Sequence, residues 1–258
     1  MSTPNPYAAP KAPVADATAV PANFIPTGRG VPAGHGWDWI VSGWNLFKKQ
    51  AGLWIAVVLI FAVIYIVLAV IPFLGMLAGV VLMPVFGAGF MIACRALEDG
   101  RPMELGQLFA GFRERFGALA TVGLIYLVAS VVIALVVGAL TGVSLYRTMS
   151  AGGDPAAMAA AALTMLLAFL IMLALMLPVI MAVWFAPALV VFHEQAAGEA
   201  MKNSFVACLK NIAPFLIYGV IMLLLSILAS IPFGLGFLVL GPVIVTSLYT
   251  SYRDIFFQ

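Results

Sequence analysis

The chain has 258 residues, of which 64% are hydrophobic and 9% charged, with a formal net charge of +2. A soluble domain is about 45–50% apolar and about 25% charged, and twelve Lys and Arg with ten Asp and Glu are too few to cover one. The small net charge leaves no electrostatic footprint for nucleic acid, and none is expected as a partner.

Residues 1–35 carry Pro4, Pro6, Pro10, Pro13, Pro21, Pro26 and Pro32 and no continuous apolar run. That proline density denies the backbone a helix, so a disordered or extended cytoplasmic arm is expected, without a cleavable signal peptide. A charge-free run over 53–71 follows. Its length as a helix, about 28 Å, is close to the hydrocarbon thickness of a bilayer. Further apolar tracts cover 74–94, 116–143, 159–191, 212–231 and 235–250. Each is too continuously apolar for a barrel strand, so the fold class is all-α integral membrane, with six transmembrane helices in a domain of 36–258. Tight turns are expected at Pro72 to Gly75 and at Pro232 to Gly234, and a longer loop over 141–157. The tract 159–191 contains Pro178 and Pro187. It reads as one kinked helix, or as a helix followed by a re-entrant or interfacial piece.

Eleven of the twelve basic residues fall on one side of this arrangement: Lys11, Arg29, Lys48, Lys49, Arg95, Arg101, Arg113, Arg115, Lys202, Lys210 and Arg253. Only Arg147 lies opposite. The positive-inside rule places the basic side, and both termini, in the cytoplasm.

An amphipathic stretch precedes each odd-numbered span. Trp37, Ile40, Trp44 and Phe47 share one face of the first; Phe109, Phe112 and Phe116 repeat the spacing, as do Met201, Phe205 and Cys208. Such helices are expected in the headgroup boundary. Trp37, Trp44 and Phe112 serve there as aromatic anchors, while Lys48, Lys49, Arg113, Arg115, Lys202 and Lys210 reach anionic lipid. The second helix of each pair carries Pro-Val, at Pro84, Pro178 and Pro242. Eleven residues after the first and third prolines come Arg95 and Arg253, where the middle one has Leu189. The pattern predicts three repeated units, about 37–99, 105–192 and 199–254, each an interfacial helix and a helical hairpin. The prolines should kink their helices, to pack them closely or to gate a groove.

No Asp, Glu, Lys, Arg or His lies within a predicted span, which argues against a proton relay or ion coupling. Tyr65, Tyr126, Ser130, Thr164, Tyr218, Ser226 and Ser230 are expected to bond within or between helices. His193, Glu194 and Glu98 make a thin catalytic set, with no His-Glu-x-x-His, Gly-x-Ser-x-Gly or phosphate-cradling glycine loop beside it. Cys94 and Cys208 lack a histidine cluster and sit on the cytoplasmic side, so neither a metal site nor a disulfide is expected. No enzyme activity and no cofactor is predicted.

The opening Asn5-Pro6-Tyr7-Ala8-Ala9-Pro10, the stretch Pro32-Ala33-Gly34-His35-Gly36-Trp37-Asp38-Trp39-Ile40, then Gly43-Trp44-Asn45-Leu46-Phe47 and Cys94-Arg95-Ala96-Leu97-Glu98 resemble an uncharacterised family of bacterial inner-membrane proteins. The resemblance spans essentially the whole chain. It implies a bacterial plasma membrane and brings no catalytic or binding residues with it. The expectation is a non-enzymatic inner-membrane protein acting through lipid or protein contacts; the alternative is a transporter or permease component for an apolar or lipid-like solute.

Overall fold

A backbone in hydrocarbon must satisfy its own polar groups, and the described residues do so almost wholly as helix. The computed structural model describes residues 23–152 and 154–258. Lys11 and most of the proline-rich arm lie outside them. In chain order come α1 (His35–Lys49), α2 (Ala51–Val70), α3 (Leu74–Glu98), a 3-10 turn (Leu105–Phe109) running into α4 (Ala110–Arg113), α5 (Phe116–Ser150), α6 (Pro155–Trp184), α7 (Ala186–His193), α8 (Ala197–Lys210), α9 (Ile212–Ser230) and α10 (Phe237–Phe256).

Five segments are long and apolar enough to cross a membrane: Ala51–Val70, Leu74–Glu98, Phe116–Ser150, Pro155–His193 and Ile212–Ser230. The expected sixth span, α10, is not among them. Its second half turns to Thr246, Ser247, Tyr249, Thr250, Ser251 and Tyr252, nearly all buried against protein rather than offered to lipid. The loop expected over 141–157 is also mostly helix, because α5 continues to Ser150. Thr141, Thr148 and Ser150 return their hydroxyls to the carbonyls of Val137, Ser144 and Tyr146, so the polar stretch stays wound. Asp154 then caps α6 through the amide of Ala156, with Pro155 in the first turn.

Pro84, Pro178 and Pro242 each lie inside an uninterrupted helix. The break in the tract 159–191 comes instead at Phe185, two residues before Pro187, and leaves α7 as a separate short helix. Pro187 has no N–H and crowds the preceding turn. Across the opening, Ser204 of α8 accepts from the Phe185 amide at 2.9 Å and donates to the Met181 carbonyl at 2.7 Å. One hydroxyl thus bridges a parted helical bond.

The amphipathic helices are built into the protein. α1 packs on α10 and α9, the 3-10 turn with α4 packs on α3, and α8 packs on α6 and α7. In α1 the buried face is Trp39, Ile40, Gly43, Leu46 and Phe47. Trp37 and Trp44 point outward, 54% and 41% exposed. The single aromatic face expected from Trp37, Ile40, Trp44 and Phe47 is therefore split. Gly43 explains why: a Cβ there would sit 2.6 Å from the Ser247 nitrogen, so its bare backbone lets α1 close on α10.

The joins into α2, α5 and α9 share one backbone conformation. Gln50 has φ −146° and ψ 54°, Arg115 φ −132° and ψ 39°, and Asn211 φ −123° and ψ 31°. The turns into α3 and α10 each place a phenylalanine in the left-handed region, Phe73 at φ 57° and Phe233 at φ 52°, directly after Pro72 and Pro232. Residues 23–34, the end of the arm expected to be disordered or extended, run as an extended strap over the C-terminus. Phe24 pairs with Phe257, Ile25 N–H donates to the Phe256 carbonyl and Arg29 N–H to that of Ile255. Both described ends therefore lie together.

Candidate functional site

The charged residues concentrate where α3, α7 and α10 end. α3 packs on α7 and α10, and Phe192 of α7 meets Tyr249 and Tyr252 of α10. Between them opens a cleft of about 110 Å³ lined by Arg95, Phe192, His193, Tyr249, Tyr252, Arg253 and Phe257. The Arg95 guanidinium lies 5.0 Å over the Phe192 ring and that of Arg253 4.3 Å over Phe257. Arg253 donates from Nε to Glu98 at 3.2 Å, and the Tyr249 hydroxyl also donates to Glu98. Among the described residues Arg95 has no carboxylate partner.

His193 forms the opposite wall. Its ring stacks on Phe24 of the strap at 3.4 Å, and its Nε2 lies 2.6 Å from the Tyr252 hydroxyl. His193 is the last residue of α7, past the break at Phe185 and beyond the apolar tract 159–191, beside the charged ends of α3 and α10. Burial first, then the charges of Arg95 and Arg253, push the His193 imidazole from 6.5 down to about 4. It is neutral at pH 7. Burial raises the Tyr252 phenol above its ordinary value, so that group keeps its proton. The cleft thus holds two guanidiniums, that of Arg253 paired with Glu98, a neutral imidazole and two phenols, an arrangement suited to an anion.

Beside the cleft, Asp254 is a hub. Its Oδ1 accepts from Arg29 at 2.9 Å, and its Oδ2 accepts from Trp39 Nε1 at 2.8 Å and lies 2.7 Å from His35 Nδ1. Arg29 Nε also donates to the Asp254 carbonyl. Strap, α1 and α10 are tied at this one carboxylate.

The expected anchors divide. Lys49 donates to the Leu97 carbonyl at the end of α3, Lys210 to the Gly28 and Thr27 carbonyls of the strap, and Arg115 to the Glu194 carbonyl. Lys48, Arg113 and Lys202 are exposed and have no hydrogen bond or ion pair among the described residues. Phe112 lies at the surface, in contact with Phe86 and Phe116. Pro84, Pro178 and Pro242 touch no part of the cleft; a cavity of about 20 Å³ lies deeper, among Gly87, Met91, Trp184, Phe185, Pro187, Ala188 and Leu248. Of the thin catalytic set, His193 reaches the cleft, Glu98 stands behind it on Tyr249 and Arg253, and Glu194 turns away to Arg115.

Six of the seven hydroxyls expected to bond do so, and that of Tyr126 has no hydrogen bond among the described residues. Ser130, Thr164, Ser226 and Ser230 bond within their own helices, Tyr65 bonds to the Gly79 carbonyl and Tyr218 to Ser247. Cys94 and Cys208 are free and buried. No group of three or more His, Cys, Asp and Glu suited to a metal occurs among the described residues. Sequence reasoning missed Asp254, Tyr249 and Tyr252. The one available signal was the polar turn of α10 after an apolar start, Tyr249 to Asp254.

The chain is similar to a protein of Burkholderia thailandensis described as a probable inner membrane protein. The two are 28% identical over 215 residues, which cover 80% of this chain and 78% of that one. No protein-family model and no solved structure matches the chain.

Proposed function

We propose that the protein is a non-enzymatic, multi-pass protein of the bacterial inner membrane that acts through lipid and protein contacts on its basic, cytoplasmic face. The similarity to an inner membrane protein supports the location. The observation that carries the contact reading is the set of leading helices. Each packs on the last helix of the unit before it, α1 on α10, α4 on α3 and α8 on α6 and α7. Each also keeps one exposed basic residue without a partner among the described residues: Lys48, Arg113 and Lys202. Aromatic Trp37, Trp44 and Phe112 stand exposed on two of the same helices.

In this reading the chain is three units closed in a ring, with six spans and both termini in the cytoplasm. The shared conformation at Gln50, Arg115 and Asn211 supports it, as do the matched turns at Phe73 and Phe233. So do the contacts between units. Gly43, Leu108 and Ser204 stand seven residues before those joins, and each meets the region five residues past a Pro-Val proline. Gly43 meets Ser247, Leu108 meets Gly89, and Ser204 spans Met181 and Phe185 on either side of position 183. In place of a sixth fully apolar helix, α10 is proposed to cross with its hydroxyl-rich half inside the ring.

The test is lipid selectivity in nanodiscs. Purified protein should retain phosphatidylglycerol over phosphatidylcholine, and the combined change Lys48→Gln, Arg113→Gln and Lys202→Gln should weaken the preference without lowering the melting temperature. An unchanged preference would sink the reading. A solute carrier would need the 20 Å³ gap between the proline-bearing helices to open; accelerated movement of a labelled lipid in liposomes would favour that alternative.

A further inference from the structure

The repeat-related arginines converge. Arg95 and Arg253 occupy matching places after Pro84 and Pro242, on helices from different units, and line the same cleft. Each guanidinium lies over an aromatic ring, Arg95 over Phe192 and Arg253 over Phe257, which positions it by a cation–π contact that uses none of its N–H donors. Of the five donors on each, Arg253 has committed its Nε–H to Glu98. Those of Arg95 meet no protein acceptor among the described residues. Glu98 is not on the cleft wall and offsets only Arg253, so the guanidinium of Arg95 faces the cleft without a carboxylate partner among the described residues.

Both arginines lie in the last turn of a helix, α3 and α10, where about half an elementary negative charge gathers at each end. That field explains part of their placement. It leaves Arg95, two aromatic walls and a space of about 110 Å³, room for several waters, without a function.

We propose that this cleft is a binding site for a single phosphate group, held between the Arg95 and Arg253 guanidiniums and bordered by the Tyr252–His193 pair. Phosphate presents several acceptor oxygens to forked donors, the geometry at which arginine excels. The group arrives either on a lipid headgroup or as a free phosphate. The site deepens the lipid-contact reading but uses neither Lys48, Arg113 nor Lys202.

The test takes the purified full-length chain in neutral detergent and measures equilibrium binding of inorganic phosphate in one arm and retention of phosphatidylglycerol in the other. One site per chain is expected, weakened about tenfold or more by Arg95→Gln and unchanged by Arg147→Gln on the opposite face. Saturation by inorganic phosphate assigns a free phosphate; retention of phosphatidylglycerol alone assigns a headgroup. In the unaltered protein the bound species should also slow phenylglyoxal modification of Arg95, a readout independent of how the variant folds. No saturable binding in either arm, equal binding by Arg95→Gln, or no protection of Arg95 overturns the site. Because the phosphate arm needs no bilayer, its failure is separate from any loss of nanodisc selectivity.

Discussion

Asp254 holds three donors from two other elements, Arg29 of the strap and His35 and Trp39 of α1. Its side chain is 19% exposed, so its attraction to Arg29 is only partly screened. Asp254→Asn keeps the shape and loses the charge; Asp254→Ala leaves three donors facing nothing. The alanine variant should lose about 1–3 kcal/mol of stability, more than the asparagine variant, read as detergent melting temperature. His193 sets a pH window. Its imidazole is pushed from 6.5 to about 4 by burial, Arg95 and Arg253, so between those pH values the unfolded chain takes a proton that the folded chain refuses. Stability should be flat above pH 6.5 and fall as pH drops from 6.5 to 4. His193→Gln should flatten that slope, and an equally steep slope in the variant would remove His193 as its source.

At the scale of elements, the contacts between units turn on small residues. Gly43→Val should prise α1 from α10, since even a Cβ meets the Ser247 backbone, and lower stability by about 1–3 kcal/mol. Ser204→Ala removes the hydroxyl that bridges Phe185 and Met181, leaving the Phe185 amide only its tight turn to the Val183 carbonyl and the Met181 carbonyl only the thiol of Cys208 at 3.6 Å. That should cost about 1–3 kcal/mol, whereas Ser204→Thr should be milder if its added methyl fits. Chymotryptic cleavage near Phe185 in detergent would report whether the break has loosened. Sequence periodicity located α1 and α8 as amphipathic but did not show that their apolar faces pack on other helices. A basic-aromatic helix has the same pattern whether its apolar face meets lipid or another helix, and only the fit of Gly43 to Ser247 decides between them.

For the whole molecule, the distribution of Lys and Arg predicts which face is cytoplasmic. Arg101→Cys, Ser150→Cys and Gln258→Cys should separate under an impermeant thiol reagent applied to intact cells. Only Ser150→Cys should label from outside, and labelling of Gln258→Cys would reverse the orientation. Native Cys94 and Cys208 are buried, which keeps the background low.

By itself the sequence determined the class of molecule and the places of its long helices, because transfer into hydrocarbon depends on the composition of each stretch and hardly on its neighbours. It also carried the period of Pro84, Pro178 and Pro242, and the pairing of Arg95 with Arg253 eleven residues beyond two of them. The tertiary structure decided what those positions meet. It turned residues 23–34 into a strap, buried the polar half of α10 against α1 and split the fourth tract at Phe185. It also brought Arg95, His193 and Arg253, distant in the chain, around one cleft. Such contacts depend on shape and on hydrogen bonds between remote residues, to which hydropathy is blind.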